Sequence, residues 1–183
     1  MGALPPGEQL EKCRWPFPEG FGYGREAATV LSESGGRVGW REMPWHDEFY
    51  AALLSGDDIC DLKVRKLGLT TMWSALLPWF AMYSKWWSAI YITYHEDAAF
   101  KKADSFKMRM QGVYQGLDEW QRGLCPVWNV KEGRSEAGFG TEKEVVFKQG
   151  WHPDWKKGVG PIGVTEIATA SPTVGAASRY SVV

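Results

Sequence analysis

From Leu67 to Tyr94 the chain carries one charge, Lys85, and no other stretch of comparable length has so few. The 18 residues from Leu67 to Ser84 carry none. Read as a helix rising about 1.5 Å per residue, they cover most of a hydrocarbon layer about 30 Å thick. Lys63, Arg65 and Lys66 bound the run on one side, and His95, Glu96 and Asp97 on the other. Inside it stand Trp73, Trp79, Phe80, Tyr83, Trp86, Trp87, Tyr91 and Tyr94, and Trp and Tyr favour the membrane boundary. The run therefore predicts a transmembrane span over residues 67–94. The competing reading is a buried core helix of a soluble α domain.

A helical wheel assigns the span two faces. Thr71, Ser74, Pro78, Ala81, Lys85, Ser88 and Ile92 share one stripe at spacings of three and four. Small residues let backbones approach, so this stripe is expected to meet a partner helix, which would also satisfy the group freed by Pro78 and the amine of Lys85. The bulky face, with Trp73, Leu76, Phe80, Tyr83, Trp87 and Ile90, is expected to meet lipid. Beyond Tyr94 the same register continues through Ala99, Ala103, Phe106, Met110, Val113 and Leu117 to Trp120, while Asp97, Lys101 and Asp104 replace the aromatics on the far side. One helix from about Leu67 to about Arg122, some 80 Å long, accounts for both halves, with Gly112 and Gly116 as its weak point.

The predicted fold class is thus mainly α: one long transmembrane helix running on into an amphipathic extramembrane helix, with extended, loop-rich arms at both ends. Residues 1–66 form an N-terminal extramembrane arm with a short helix, 67–94 the span, 95–122 its continuation and 123–183 a C-terminal arm. A mean hydropathy of −0.33 fits one span with substantial extramembrane parts. Prolines and glycines crowd residues 1–24, which read as an arm with no core of its own, held by a partner through Trp15, Phe17, Phe21 and Tyr23. Ala27–Trp40 suggests a hairpin turning at Ser34-Gly35-Gly36, and Trp45–Leu54 a helix ended by Ser55-Gly56, with Asp57 or Asp58 capping the turn beyond. Lys143–Phe147 reads as a short strand, and 158–183 as a second partner-bound arm.

Little in the chain points to chemistry. His46, His95 and His152 each have acidic neighbours, yet no two histidines fall on one helix face and a span would separate His46 from His152. Cys13, Cys60 and Cys125 show neither a disulfide framework nor zinc-knuckle spacing. No phosphate loop, dinucleotide fingerprint or nucleophile elbow is present. His152-Pro153-Asp154 matches the signature tripeptide of J-domain co-chaperones, but Gly150, Gly158 and Gly160 surround it where that family has two helices. The N-terminus has neither a secretory signal nor an Arg-rich presequence, and Pro6 stands where myristoylation needs Ser or Thr. A formal net charge of −1 gives no reason to expect nucleic acid.

Aromatic-rich arms on both sides of one helix resemble, in layout, the supernumerary single-span subunits of respiratory-chain and ATP synthase complexes, cytochrome c oxidase subunit 4 among them. Trp120 and Trp128 are the positions to compare. The resemblance implies a non-catalytic accessory subunit of the mitochondrial inner membrane, with a thylakoid complex as the variant. It would contact other subunits and lipid, hold no cofactor of its own, and have room for a structural phospholipid near Lys85, Trp86 and Trp87. The basic residues before the span lean its N-terminal part towards the matrix. The alternative from another class is a soluble Trp-rich binding module, its exposed rings stacking on sugars or Pro-rich peptides.

Overall fold

The computed structural model describes residues 6–14, 16–26, 29–31, 37–41, 43–56, 68–102, 104–136, 138–141, 143–155 and 160–169. The long apolar run is divided between two elements. Helix α4 occupies Leu69–Tyr83 and strand β3 occupies Ser88–Thr93. The helix stops because Ser84 turns to an extended backbone and Trp86 adopts a left-handed one, with φ +57°. Beyond that turn the residues are Ser-Ala-Ile-Tyr-Ile-Thr, and β-branched and aromatic side chains suit a pleated strand better than a helix.

Among the described residues no helix is long and apolar enough to cross a membrane. The expected span is thereby overturned, and with it the single-pass assignment to the mitochondrial inner membrane and its thylakoid variant. The mainly α fold class gives way to an α/β arrangement. Helices α1 (Pro6–Cys13) and α2 (Glu19–Glu26) come first, followed by the antiparallel pair β1 (Thr29–Leu31) and β2 (Arg37–Gly39) and by helix α3 (His46–Ser55). After β3, a π-helical turn at Asp97–Lys101 leads to α5 (Phe106–Gly116) and α6 (Glu119–Leu124). The short pair β4 (Trp128–Asn129) and β5 (Arg134–Ser135) precedes β6 (Glu144–Lys148) and β7 (Ile162–Thr169). The continuous helix expected over 95–122 is therefore three pieces, and α5 ends at Gly116. Expected arms contribute core elements instead: Cys13 and Phe21 are buried in the N-terminal part, and β7 lies within the C-terminal part. Ser34–Gly36, Asp57 and Asp58 fall outside the described residues.

The main sheet has the order β3-β7-β6, with β3 parallel and β6 antiparallel to β7. Pleating puts alternate residues on one face, so Val145, Phe147, Thr165 and Ile167, all 0% exposed, point inward. Helix α4 lies on that face and α5 packs beside it. At the crossing of α4 and β7, any Cβ on Gly163 would overlap the carbonyl oxygen of Ala81, so only glycine permits this approach. The end of α4 is buried, and its last carbonyls need donors. Gln149 Nε2 donates to Ala81 O at 2.9 Å and also to Ser84 O, while Trp151 Nε1 donates to Met82 O at 2.7 Å. These bonds supply donors to the carbonyls of Ala81, Met82 and Ser84 at the buried end of the helix.

Within α4, both the face expected to meet lipid and the stripe expected to meet a partner helix pack into the core. Leu76 is fully buried, Tyr83 nearly so, and Trp73, Phe80 and Trp87 pack against the same cluster. From the small stripe Ser74 and Ala81 are 0% exposed, and Pro78 is buried. The helix that stripe meets is the chain's own: Arg109 of α5 donates to Thr71 Oγ1 at 3.3 Å, and Pro78 and Met82 line a narrow gap with Val113 and Leu117. Ala99, Phe106, Met110 and Val113 are likewise buried. Ala103 lies outside the described residues.

Candidate functional site

Strand β3 is an edge strand, and its outer side can be read atom by atom. The Val164 N–H donates to the Trp87 carbonyl at 2.9 Å. Along a strand the N–H and C=O of one residue point to the same side and successive residues alternate, so Trp87, Ala89, Tyr91 and Thr93 face β7. Ser88, Ile90 and Ile92 therefore direct three N–H and three C=O groups away from the sheet, and no strand among the described residues pairs with them. The opposite edge is closed. There Lys148 N–H donates to Pro126 O at 3.0 Å, Gly150 N–H donates to Leu124 O at 3.1 Å, and Val127 bridges Phe147.

Natural edge strands are blunted by lysine, proline, bulges or shortness. From Trp86 to Tyr94 this one has no charge, no proline and no glycine. Charges stand only at its ends and are already paired: Lys85 with Asp154 at 3.4 Å, Glu96 with Lys101, and Asp97 with Lys102 at 3.5 Å. Among the described residues, three large exposed apolar side chains lie on or beside this edge: Trp86 (58% exposed), Ile92 (49%) and Tyr94 (82%). The inner side chains of the strand are held firmly. Tyr91 stacks on Phe106 at 3.5 Å and 4°, and Trp87 stacks on Phe80 at 4.5 Å and 15°.

Trp86 is the strained member. A bulky side chain at positive φ costs about 1–2 kcal/mol, yet the turn it makes is what sets Trp87 onto Phe80 and throws its own indole outward. Lys85, expected on a partner-helix stripe, instead reaches Asp154, whose carboxylate also lies 3.6 Å from His152 Nδ1. Of the residues read as sites from sequence, Lys85, Ser88 and Ile90 meet at this edge together with Trp86 and Trp87. Ile92 was legible as apolar and Tyr94 as aromatic, but their exposure was not. The signal was the β-branched and aromatic composition from Ser88 to Tyr94, masked by the longer hydrophobic run before it.

Elsewhere, among the described residues, Cys13, Cys125 and His46 are buried. A cavity of about 110 Å³ is lined by Gln9, Cys13, Tyr23, Gly24, Asp118, Trp120 and Gln121. Burial pushes the Cys13 thiol up to about 11, and pushes Cys125 further, so neither is a thiolate near neutral pH. Gln121 Nε2 donates to Tyr83 Oη at 3.1 Å, and its Oε1 accepts from Asp118 N–H at 3.1 Å in the capping box of α6. His46 is buried among Trp40, Trp45 and Tyr50, and its Nδ1 accepts from Met43 N–H at 3.2 Å. Among the described residues no group of three or more His, Cys, Asp or Glu is placed to hold a metal ion. No protein-family model matches the sequence, and no curated protein is similar enough to it to count as a relative.

Proposed function

We propose that this chain is a non-catalytic interaction module that captures an extended polypeptide along the open edge of β3. One observation carries the reading: six outward backbone groups of Ser88, Ile90 and Ile92 pair with no strand among the described residues, and stand beside exposed Ile92, Trp86 and Tyr94. Strand addition uses both features, because main-chain bonds supply affinity and alternate side chains supply selectivity. A proline-rich peptide suits the edge poorly, since proline has no N–H to offer the three outward carbonyls. A segment rich in Val, Ile, Thr or Tyr fits it.

The test is selection from a library of random linear peptides displayed on phage, followed by binding to Ile90→Pro. The Ile90 N–H points outward, so proline there removes an edge donor and leaves the ladder to β7 intact. Enriched peptides should carry β-branched or aromatic residues at alternate positions and should lose at least tenfold in affinity for the variant. Equal affinity for the variant would refute the reading. A second reading, sugar stacking, is favoured by the exposed indole of Trp86 next to the Lys85–Asp154 pair. Binding on a glycan array that Trp86→Ala removes and Ile90→Pro spares would select it instead.

A further inference from the structure

We infer that the partner at β3 is a second copy of this chain, paired antiparallel across a two-fold axis through Ile90. The inference rests on the edge reading above and names its partner. A two-fold axis perpendicular to the sheet leaves each side chain on its own face, so residues placed opposite one another share the same parity. With the axis at Ile90, Ile90 meets Ile90 of the second copy, and Ser88 meets Ile92 of the second copy. These are the three residues whose N–H and C=O groups point outward, so every outward group of β3 is bonded and none is left over. With the axis at Tyr91, Ser88 would need Tyr94, which lies beyond the last residue of the strand.

The Ile90 register has a second consequence. It brings Trp86 of one copy to the end where Tyr94 of the other stands, twice over, covering the two exposed aromatics that flank the edge. Among the described residues no unpaired charge opposes the approach: residues 86–94 carry none, and Lys85, Glu96 and Asp97 at its ends are paired within the chain. The result is one six-stranded sheet, 3 + 3, with β6 as the edge on both sides.

Sedimentation velocity of the full chain and Ile90→Pro tests the pairing. The wild type should sediment at about 41 kDa, twice the 20.6 kDa of one chain, at micromolar concentration, and the variant at the mass of one chain. A wild type that stays at one chain mass throughout, or a variant that stays at two, overturns the inference. If Ile90→Pro loses its near-ultraviolet circular dichroism and so its fold, Ile92→Lys serves in its place, because that side chain is half exposed. Register is tested by Ile90→Cys in a Cys60→Ser background. Opposite Cα atoms about 5.5 Å apart allow a disulfide, so mild oxidation should cross-link Ile90→Cys to itself and leave Ile92→Cys uncross-linked. The reverse pattern overturns the register. A chain that sediments singly but binds displayed peptides in a manner lost in Ile90→Pro would end the self-partner inference and leave the edge reading standing. Peptide binding unaffected by Ile90→Pro would end both.

Discussion

Trp86 shows how a single residue couples stability to recognition. Its left-handed backbone is a conformation that glycine adopts freely, and its indole is largely in solvent. Trp86→Gly should leave the unfolding free energy in urea unchanged or raise it by up to about 1 kcal/mol, while weakening association at β3. A loss of stability beyond about 1 kcal/mol would mean that the ring is a packing element. The buried thiols make a separate prediction. In the unfolded chain Cys13 ionises near 9.0 and in the fold near 11, so between those values the unfolded state binds fewer protons. Stability is then fully present below about pH 9 and is lost as pH rises towards 11, by about 1 kcal/mol per pH unit for each thiol in that window. Cys125 shifts in the same direction through its burial, and Tyr83 lies well above its usual 10.0 for the same reason. Urea titrations from pH 8 to 11 should show the decline, and a flat profile would mean that the thiols ionise inside the fold.

At the scale of elements, the crossing of α4 over β7 is the contact with least slack. Gly163→Ala sets a methyl group against the Ala81 carbonyl, which is backbone and cannot rotate away. The cost should be at least about 3 kcal/mol in urea denaturation, since overpacking of a rigid site costs 1–3 kcal/mol even where neighbours yield. A cost below about 1 kcal/mol would mean that α4 sits further from the sheet. Elements with local punctuation were legible in the sequence. Gly56, at φ +73°, ends α3 where Ser55-Gly56 predicts it, and the strand expected over 143–147 is β6. The hairpin expected over 27–40 contains the β1–β2 pair. The bulky face, expected to meet lipid, is instead covered by the chain itself. An apolar helix followed directly by an apolar strand presents one hydrophobic run, and the wheel that aligned Ser74 with Met110 could not show that the chain folds back to set α5 beside α4. Strand β7, Ile162–Thr169, was hidden because Gly163 and Thr165 interrupt its apolar residues on the inner face, where the helix approaches Gly163 too closely for any side chain.

At the scale of the whole molecule, six of the eight aromatic residues that suggested a lipid boundary, Trp73, Trp79, Phe80, Tyr83, Trp87 and Tyr91, serve one core. Phe17, Phe21, Tyr50 and Trp79 interlock with ring centroids 5.1–6.2 Å apart, joining the N-terminal helices to α3 and α4. That core closes one face of the sheet and chain segments close the β6 edge, while the outer edge of β3 pairs with no strand among the described residues. Backbone amide exchange read residue by residue by NMR, across a dilution series and with peptides selected on the edge, tests this most directly. The amides of Ala89, Tyr91 and Thr93 should be protected throughout. Those of Ser88, Ile90 and Ile92 should exchange rapidly when the chain is dilute and gain protection together as the edge is filled. If those three amides exchange at one unchanging rate at every concentration and with every peptide, β3 is not where this protein meets its partner.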